Sequence, residues 1–133
     1  MAMFELEIVT PRGLKFSGEV RHVRAPGVRG YFGVLAGHTP FITPLTTGEI
    51  DIDAGEGLRV FATSGGFAEV HGDHVLILAE TAEEADEIDR ERALAAKRRA
   101  EERLSNPEGI DHMRARAALA RALNRLKIAG GAG

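Results

Sequence analysis

Several residue types are scarce in this chain of 133 residues, and each shortage narrows what the protein can be. There is no cysteine, which excludes disulfides and thiolate metal sites and fits a reducing compartment. Aromatic residues make up 5% of the chain, too few and too scattered for a base-stacking platform. Together with a net charge of −3, this argues against nucleic acid as a partner of the main body.

Long apolar runs are also missing. The longest uninterrupted run, residues 75–79, is far shorter than the roughly 20 residues that a membrane-spanning helix needs. Glu5 and Glu7 stand where a signal peptide would carry basic and then apolar residues. We therefore expect a soluble, untargeted chain that does not insert into a membrane.

The region from Met1 to Glu87 has the pattern of short strands joined by turns. Phe4, Leu6 and Ile8 alternate with acidic residues, the period of two that is typical of a half-buried strand. About eight to ten such segments predict a β-sandwich or a flattened barrel. Strands and helices do not alternate, which argues against a doubly wound α/β fold.

The residues from Asp89 to Lys127 instead have the pattern of two helices, with helix-stopping and helix-starting residues at 105–109. Asp86 or Glu87 is predicted to cap the first helix. Asn106 and Pro107 are predicted to be the cap and the first position of the second. The pattern therefore predicts an α+β chain: a β domain in residues 1–86 and a helical hairpin in residues 87–133.

Charge is distributed unevenly between these two parts. From Asp89 onward there are 11 basic and 6 acidic residues, a net of +5, whereas the preceding part has 6 basic and 14 acidic residues, a net of −8. A basic arm on an acidic body can dock on that body, on a partner's acidic surface or on a phosphate. Because the first helix has a mostly alanine stripe, which buries little area, we expect the arm to hold its shape but adhere weakly.

Arginine gives this arm its candidate chemistry. Arg92 and Arg99 fall on one side of the first predicted helix, and Arg121 and Arg125 on one side of the second. In an antiparallel hairpin these guanidinium groups would face one another and repel, unless an anion such as a polyphosphate lay between them. Asp89 could then hold Arg92 or accept a hydrogen bond from a base amino group. On the pattern alone, a solvated, salt-bridged helix surface is the favoured interpretation.

Three other motifs have weaker chemical interpretations. Residues 71–74, which include two histidines, are better explained as a polar hairpin tip than as a metal site. Gly27, Gly30 and Gly33 lack the following helix that a phosphate-binding loop requires. Ser64 lacks the spaced acid–histidine pair of a catalytic triad. We therefore expect no catalytic residue and no metal ligand.

Four groups of residues, weak one by one, together form a specific family signature because of their order and spacing. They are Val9-Thr10-Pro11; Gly30 with Gly33-Val34-Leu35 and Gly37-His38; Ser64-Gly65-Gly66-Phe67 with Glu69-Val70; and Ile88-Asp89-Arg90-Glu91-Arg92-Ala93. In this order they resemble the epsilon subunit of bacterial F-type ATP synthase, over nearly the whole chain. The resemblance implies an N-terminal β-sandwich of about ten strands followed by a C-terminal antiparallel two-helix hairpin.

The resemblance also implies a function. The chain would be a non-catalytic subunit of the central stalk, or rotor, of a proton-translocating ATP synthase. Its sandwich would bind the gamma subunit and the ring of c subunits, as a peripheral protein at the cytoplasmic face of the cell membrane. Its helices would lie folded on the sandwich or extend along gamma into the catalytic head of alpha and beta subunits, where they would block ATP hydrolysis.

In some thermophilic members of that family the folded hairpin binds ATP through the motif Ile-Asp-x-x-Arg-Ala. By resemblance, the ATP-binding residues of this chain are Glu83, Ile88, Asp89, Arg92, Ala93, Arg99, Arg121 and Arg125. The motif itself covers residues 88–93, and Glu83 is an additional candidate. ATP is therefore the expected regulatory ligand, and the participation of Mg²⁺ stays open.

Two positions depart from the family pattern. Tyr31 stands where an acidic residue usually follows the glycine, which weakens the expectation of a polar contact with the c-ring loops at that point. Ala36 replaces a usual proline and loosens the bend before Gly37. The main alternative is a free-standing nucleotide-sensing module that uses the same arginines without a rotary partner. A small hydrolase is the second alternative, and it is disfavoured because no nucleophile, acid–base pair or metal set converges.

Overall fold

A computed structural model describes residues 2–106 and 111–130 of the chain. These residues form two compact units, one built from strands and ending at Glu84, and one built from helices and beginning at Ala85. The strands are β1 (Phe4–Thr10), β2 (Gly13–Val20), β3 (His22–Gly27), β4 (Gly30–Leu35), β5 (Phe41–Leu45), β6 (Gly48–Asp53), β7 (Leu58–Thr63), β8 (Gly66–His71), β9 (His74–Ala79) and β10 (Ala82–Glu84). A 3₁₀ turn (Ala85–Glu87) precedes α1 (Arg90–Ser105) and α2 (His112–Ala129).

The strands form one hydrogen-bonded sheet around a single apolar core. The strand order is β10-β7-β6-β3-β5-β8-β9-β1-β2, and β4 pairs with β3. Neighbouring strands are antiparallel, except for β1 and β9, which run parallel. The predicted α+β architecture, a sandwich of ten strands followed by two helices, is confirmed.

Alternation along each strand decides which side chains enter the core. On β1, Phe4, Leu6 and Ile8 are buried, and the acidic side chains between them lie outside. On β6, Ile50 and Ile52 are buried in the same alternating way. Successive side chains leave a strand on opposite faces, so this period of two puts one face of the sheet in the core. Burying such a side chain contributes roughly 1.5–3 kcal/mol to the free energy of folding.

Close backbone packing explains the glycine that begins β8. Gly66 has a φ of +141°, and a Cβ added there would lie 2.0 Å from the carbonyl oxygen of Leu78 and 2.9 Å from the Cα atom of Ala79. Only glycine adopts this conformation and approaches a neighbouring strand so closely without strain. The adjacent Ser64 hydroxyl accepts a hydrogen bond from the Thr81 hydroxyl at 2.8 Å. This hydrogen bond therefore connects the loop between β7 and β8 with the loop between β9 and β10.

The first helix begins at a different residue from the one predicted. Its N-cap is Asp89, whose Oδ1 accepts a hydrogen bond from the backbone N–H of Arg92 at 3.1 Å. The prediction of Asp86 or Glu87 was wrong because both residues belong to the 3₁₀ turn that precedes the helix. A side chain caps a helix from the residue directly before its first turn.

The second helix begins later than predicted. Its N-cap is Asp111, whose Oδ1 accepts a hydrogen bond from the N–H of Arg114 at 3.1 Å. Asn106, predicted above to cap this helix, is instead the C-cap of α1, and its N–H donates to the carbonyl oxygen of Arg103. The prediction was wrong because the backbone of Asn106 still completes the last turn of α1. Pro107 lies outside the described residues.

The two helices pack against each other as an antiparallel hairpin. The end of α2 lies beside the start of α1, since a Cβ built on Gly130 would be 3.8 Å from Arg90 Nη1. At the other end, His112 Nε2 of α2 lies 3.2 Å from the carbonyl oxygen of Asn106. Neither helix, over the residues the structure describes, is apolar enough to cross a membrane.

The contact between the helices is made largely of alanine. Ala93 and Ala100 of α1, and Ala115 and Ala122 of α2, are each no more than 2% exposed. Residues seven positions apart return to the same side of a helix, so each pair marks one buried stripe. Small side chains let two helix backbones approach closely, but each contributes little buried area.

We expect Gly66→Ala to lower the free energy of unfolding by about 2–4 kcal/mol, because its methyl group has to displace the backbone of β9. Urea denaturation measures this change. Gly72→Ala is the matched control: Gly72 also has a positive φ, +56°, but no atom within 4 Å of an added Cβ. Its cost should be only about 1–2 kcal/mol. Equal losses in the two variants would contradict the close-packing account.

We expect Ala122→Leu to overpack the helix contact and to destabilise the hairpin by about 1–3 kcal/mol. Hydrogen exchange should then become faster at amides of α1 and α2 and stay unchanged in the core strands. Ala120→Leu is the control, because Ala120 lies on the same helix and is exposed. Similar exchange in both variants would show that the alanine stripe does not limit the packing.

Candidate functional site

Four arginines meet at a cavity between α1 and α2. The cavity has a volume of about 220 Å³ and is lined by Ala96, Arg99, Ala100, Arg103, Ala118, Arg121, Ala122 and Arg125. The structure therefore brings together three of the predicted site residues, Arg99, Arg121 and Arg125. Arg103 joins them, although it was not among the residues assigned by resemblance. The signal for it was its position four residues after Arg99, one helical turn along the same face.

The alanine contact explains how these arginines come together. Ala100 and Ala122 are buried in the helix contact and also line the cavity. Because the helix backbones approach closely there, arginines one position away on each helix extend over the same space. Arg99 and Arg121 are exposed, and Arg125 is partly buried.

The electrostatics of this cavity favour an anion. Its described lining contains four arginines and no carboxylate. Guanidinium groups that share a small space repel one another, and an anion between them turns that repulsion into attraction. Arginine binds phosphate through two parallel N–H···O hydrogen bonds, which adds geometric selectivity. The volume is below the roughly 300–1,000 Å³ of typical small-molecule pockets, so it suits a phosphate chain better than a complete nucleotide.

The other predicted site residues lie outside the described lining of this cavity. Arg92 is exposed on α1, and Oδ1 of Asp89 is engaged in capping the same helix. Ile88 and Ala93 are buried, which is the ordinary role of apolar residues near a helix start. Glu83 lies on β10, in the other compact unit.

The histidine-containing turn forms as predicted. His71 and His74 are cross-strand partners at the ends of β8 and β9, on either side of Gly72-Asp73. Within residues 2–106 and 111–130, no group of three or more histidine, aspartate or glutamate side chains is arranged to hold a metal ion.

The outer face of the sandwich carries a second candidate surface. Five residues on neighbouring strands are paired in register, and we call them the apolar row: Pro44, Phe67, Leu78, Val9 and Leu14. Phe67, Leu78 and Leu14 are 56%, 50% and 59% exposed. Single exposed apolar side chains are common, whereas a contiguous group of them marks an interaction surface. The apolar row is therefore a candidate contact for another protein.

Tyr31, one of the departures from the family pattern, is fixed to the sandwich by two contacts. Its hydroxyl accepts a hydrogen bond from the N–H of Glu49 at 3.0 Å, and the Arg24 guanidinium lies 4.0 Å from its ring centroid. Burial opposes the charge of Arg24, but the hydrogen bond to Asp51 and the charges of Asp51 and Glu49 outweigh it and raise the arginine's pKa. The tyrosine thus replaces a surface charge with a ring packed on a neighbouring cation.

Comparison with known proteins accounts for both units of the chain. The family model described as the beta-sandwich domain of the ATP synthase delta/epsilon chain matches residues 3–85. The model described as the long alpha-helix domain of the same chain matches residues 86–130. Over 128 residues the chain is 49% identical to a protein from Nitratidesulfovibrio vulgaris (strain DP4) named ATP synthase epsilon chain, with 96% of each chain covered.

Two solved structures share the fold. A chain in the mitochondrial ATP synthase of Euglena gracilis (OSCP/F1/c-ring) superposes with a TM-score of 0.83 at 24% identity, covering 93% of this chain and 79% of that one. A chain in the central stalk/c-ring of the Tetrahymena thermophila enzyme gives 0.60 at 15% identity, covering 96% and 94%. At such identities the likeness concerns the fold. The family models and the bacterial relative carry the assignment: the chain belongs to the ATP synthase delta/epsilon chain family, as a non-catalytic epsilon subunit of F-type ATP synthase.

Proposed function

We propose that this chain joins the gamma subunit to the c-ring in the rotor of a proton-translocating ATP synthase, and that its helical hairpin inhibits ATP hydrolysis. Bound ATP favours the state in which the two helices are packed together. The observation that carries the regulatory part is the cavity in which Arg99, Arg103, Arg121 and Arg125 converge. The chain acts as a peripheral protein at the cytoplasmic face of the cell membrane.

ATP fits the cavity through its phosphates. The polyphosphate brings negative charge into a cavity lined by four guanidinium groups, and each charge-assisted hydrogen bond is worth roughly 1.5–3 kcal/mol. Arg99 comes from α1 and Arg121 from α2, so a phosphate chain held by both connects the helices. The ligand therefore binds the packed hairpin and not the separated helices.

The energetics suit a reversible switch. The contact between the helices rests on alanines, and each buried methyl or methylene group contributes only about 0.8 kcal/mol. A ligand that binds one state alone stabilises it by about 2.7 kcal/mol at a hundredfold excess over its dissociation constant. ATP can thus decide between two states of the hairpin that differ by a few kcal/mol. When ATP falls, the released basic helices are free to contact acidic surfaces of the alpha and beta subunits in the catalytic head.

The rotor contact is supported by the apolar row on the sandwich. Gamma is the partner proposed for it, because an exposed row across five strands requires a broad, complementary protein surface. The Tetrahymena chain with the same fold comes from a central stalk/c-ring structure, which supports a place in the rotor for this chain as well. At the position where an acidic residue is usual, Tyr31 instead offers the proposed c-ring contact an uncharged ring packed on Arg24.

We expect Arg99→Ala and Arg121→Ala each to weaken ATP binding at least tenfold, or ~1.4 kcal/mol, because each removes a guanidinium group from the cavity. Isothermal titration of the isolated chain with ATP measures the change. Arg116→Ala is the matched control, since Arg116 is exposed on the same helix outside the described lining. Arg92→Ala tests the motif residue that lies outside the cavity. No binding by the wild type would remove the ATP sensor from the proposal.

We expect a chain that ends at Glu84 to stay in the assembled complex and to raise its rate of ATP hydrolysis. If half of the complexes are inhibited by the hairpin, the increase is about twofold. The full chain carrying Arg99→Ala and Arg121→Ala should do the opposite and hydrolyse more slowly at high ATP, because ATP no longer holds the hairpin. Unchanged hydrolysis after truncation would rule out the inhibitory role.

A further inference from the structure

On the sheet face that carries the apolar row, the exposed side chains change from apolar to charged along the strands. Two positions away from the apolar row, the register aligns Glu69 of β8, Leu76 of β9 and Glu7 of β1. Two positions further, it aligns His71, His74, Glu5 and Glu19. The titratable residues in these two rows form what we call the charged end: Glu5, Glu7, Glu19, Glu69, His71 and His74.

Both histidines of the charged end face carboxylates. His74 Nε2 lies 3.2 Å from Glu7 Oε1, and His74 Nδ1 lies 3.8 Å from Glu5 Oε2. His71 Nε2 lies 3.5 Å from Glu69 Oε1. These side chains are exposed or half-buried, so all of them are accessible to a partner.

At the register positions of these two rows, as far as the structure describes the chain, the charged groups other than the histidines are acidic. Glu19 of β2 is the register partner of Glu5, and Asp73 lies in the turn between the two histidines. Asp73 is also tied to β1, because its carbonyl oxygen accepts the N–H of Glu5 at 2.9 Å. Neither lysine nor arginine occupies any of the register positions given above.

We propose that the charged end is the second half of the docking surface for gamma. It contacts lysine or arginine side chains of the same partner surface that covers the apolar row, and protonation of His71 and His74 weakens this contact. The inference rests on the proposed function, because it requires docking on the apolar row. It adds the chemistry of the partner, an apolar surface with a basic border, and the dependence of docking on pH.

The direction of the pH effect follows from the charges. Histidine changes its charge between about pH 5 and pH 8, whereas glutamate stays ionised over that range. When both histidines are neutral, the four glutamates of the charged end attract a basic surface without compensation. When both are protonated, half of that negative charge is neutralised within the protein itself. Docking therefore strengthens as the pH rises.

The position of the charged end determines how the effect is observed. Charges at the solvated border of an interface act mainly on the association rate and on its salt dependence, and less on dissociation. Exposed ion pairs contribute little to folding stability, so substitutions here leave the sandwich folded. The apolar row, in contrast, determines whether docking occurs at all.

The test measures binding of the full chain to the purified gamma subunit of the same organism, by association kinetics at several pH values. From about pH 5.5 to pH 8 we expect the wild-type affinity to rise about fivefold, mainly through faster association. The double variant His71→Gln/His74→Gln should bind tightly at every pH, with a change below about twofold. His38→Gln, a histidine in the loop between β4 and β5, is the control and should keep the wild-type response.

Leu78→Glu and added salt separate the two proposals. Leu78→Glu places a charge in the apolar row and should abolish docking at every pH, whereas Leu58→Glu alters a leucine of similar exposure outside the row and should leave docking intact. In roughly 1 M salt the wild-type pH response should disappear, because exposed charges are screened within about 3 Å.

Each outcome bears on one of the proposals. If Leu78→Glu binds gamma like the wild type, or the wild type does not bind, docking on the apolar row is wrong and this inference fails with it. If Leu78→Glu loses binding but the double histidine variant keeps the wild-type pH response, only this inference is overturned.

Discussion

The burial of one face of each strand in a single core is the constraint on which the sandwich depends. Leu6, Ile8 and Ile77 belong to that core, and the positions next to them along the strands face outward. Side chains at the outward positions do not have to fit into the core, so they can be of a type that binds other proteins. A contiguous exposed apolar group such as Phe67 beside Leu78 marks a candidate contact with another protein.

The helical hairpin follows a different rule, because its contact is built from the smallest apolar side chain. Ala100 and Ala122 let the helices approach closely, and this approach brings Arg99 and Arg121 over one small space. The same contact supplies too little buried area to hold the helices firmly. Weak packing and converging positive charge thus arise from one feature. In the function proposed above, a phosphate ligand that relieves this charge would also strengthen the packing.

Local patterns in the sequence predicted most of the fold. The alternation of Phe4, Leu6 and Ile8 with acidic residues indicated a half-buried strand, and the structure confirms it. The helix boundaries were less predictable, as the corrected assignments of Asp89 and Asn106 as caps show. Several acidic or amide residues near a helix end can cap it, and only the backbone geometry selects one of them. Helical spacing of three or four residues groups the arginines that line the cavity, and it puts Arg103 on the same face as Arg99. The residues assigned by resemblance included Arg99, Arg121 and Arg125 but not Arg103.

By itself, the sequence determined which segments become strands or helices, where glycine and aspartate make turns, and that the helical part is basic while the strand part is acidic. These properties depend on neighbours within one or two turns of the chain, so they can be read locally. Only the tertiary structure decided that Leu14, Pro44, Phe67 and Leu78 form one row. Strand order and register depend on pairing between distant segments and on how the whole core closes, and a shift of one residue would turn that row inward.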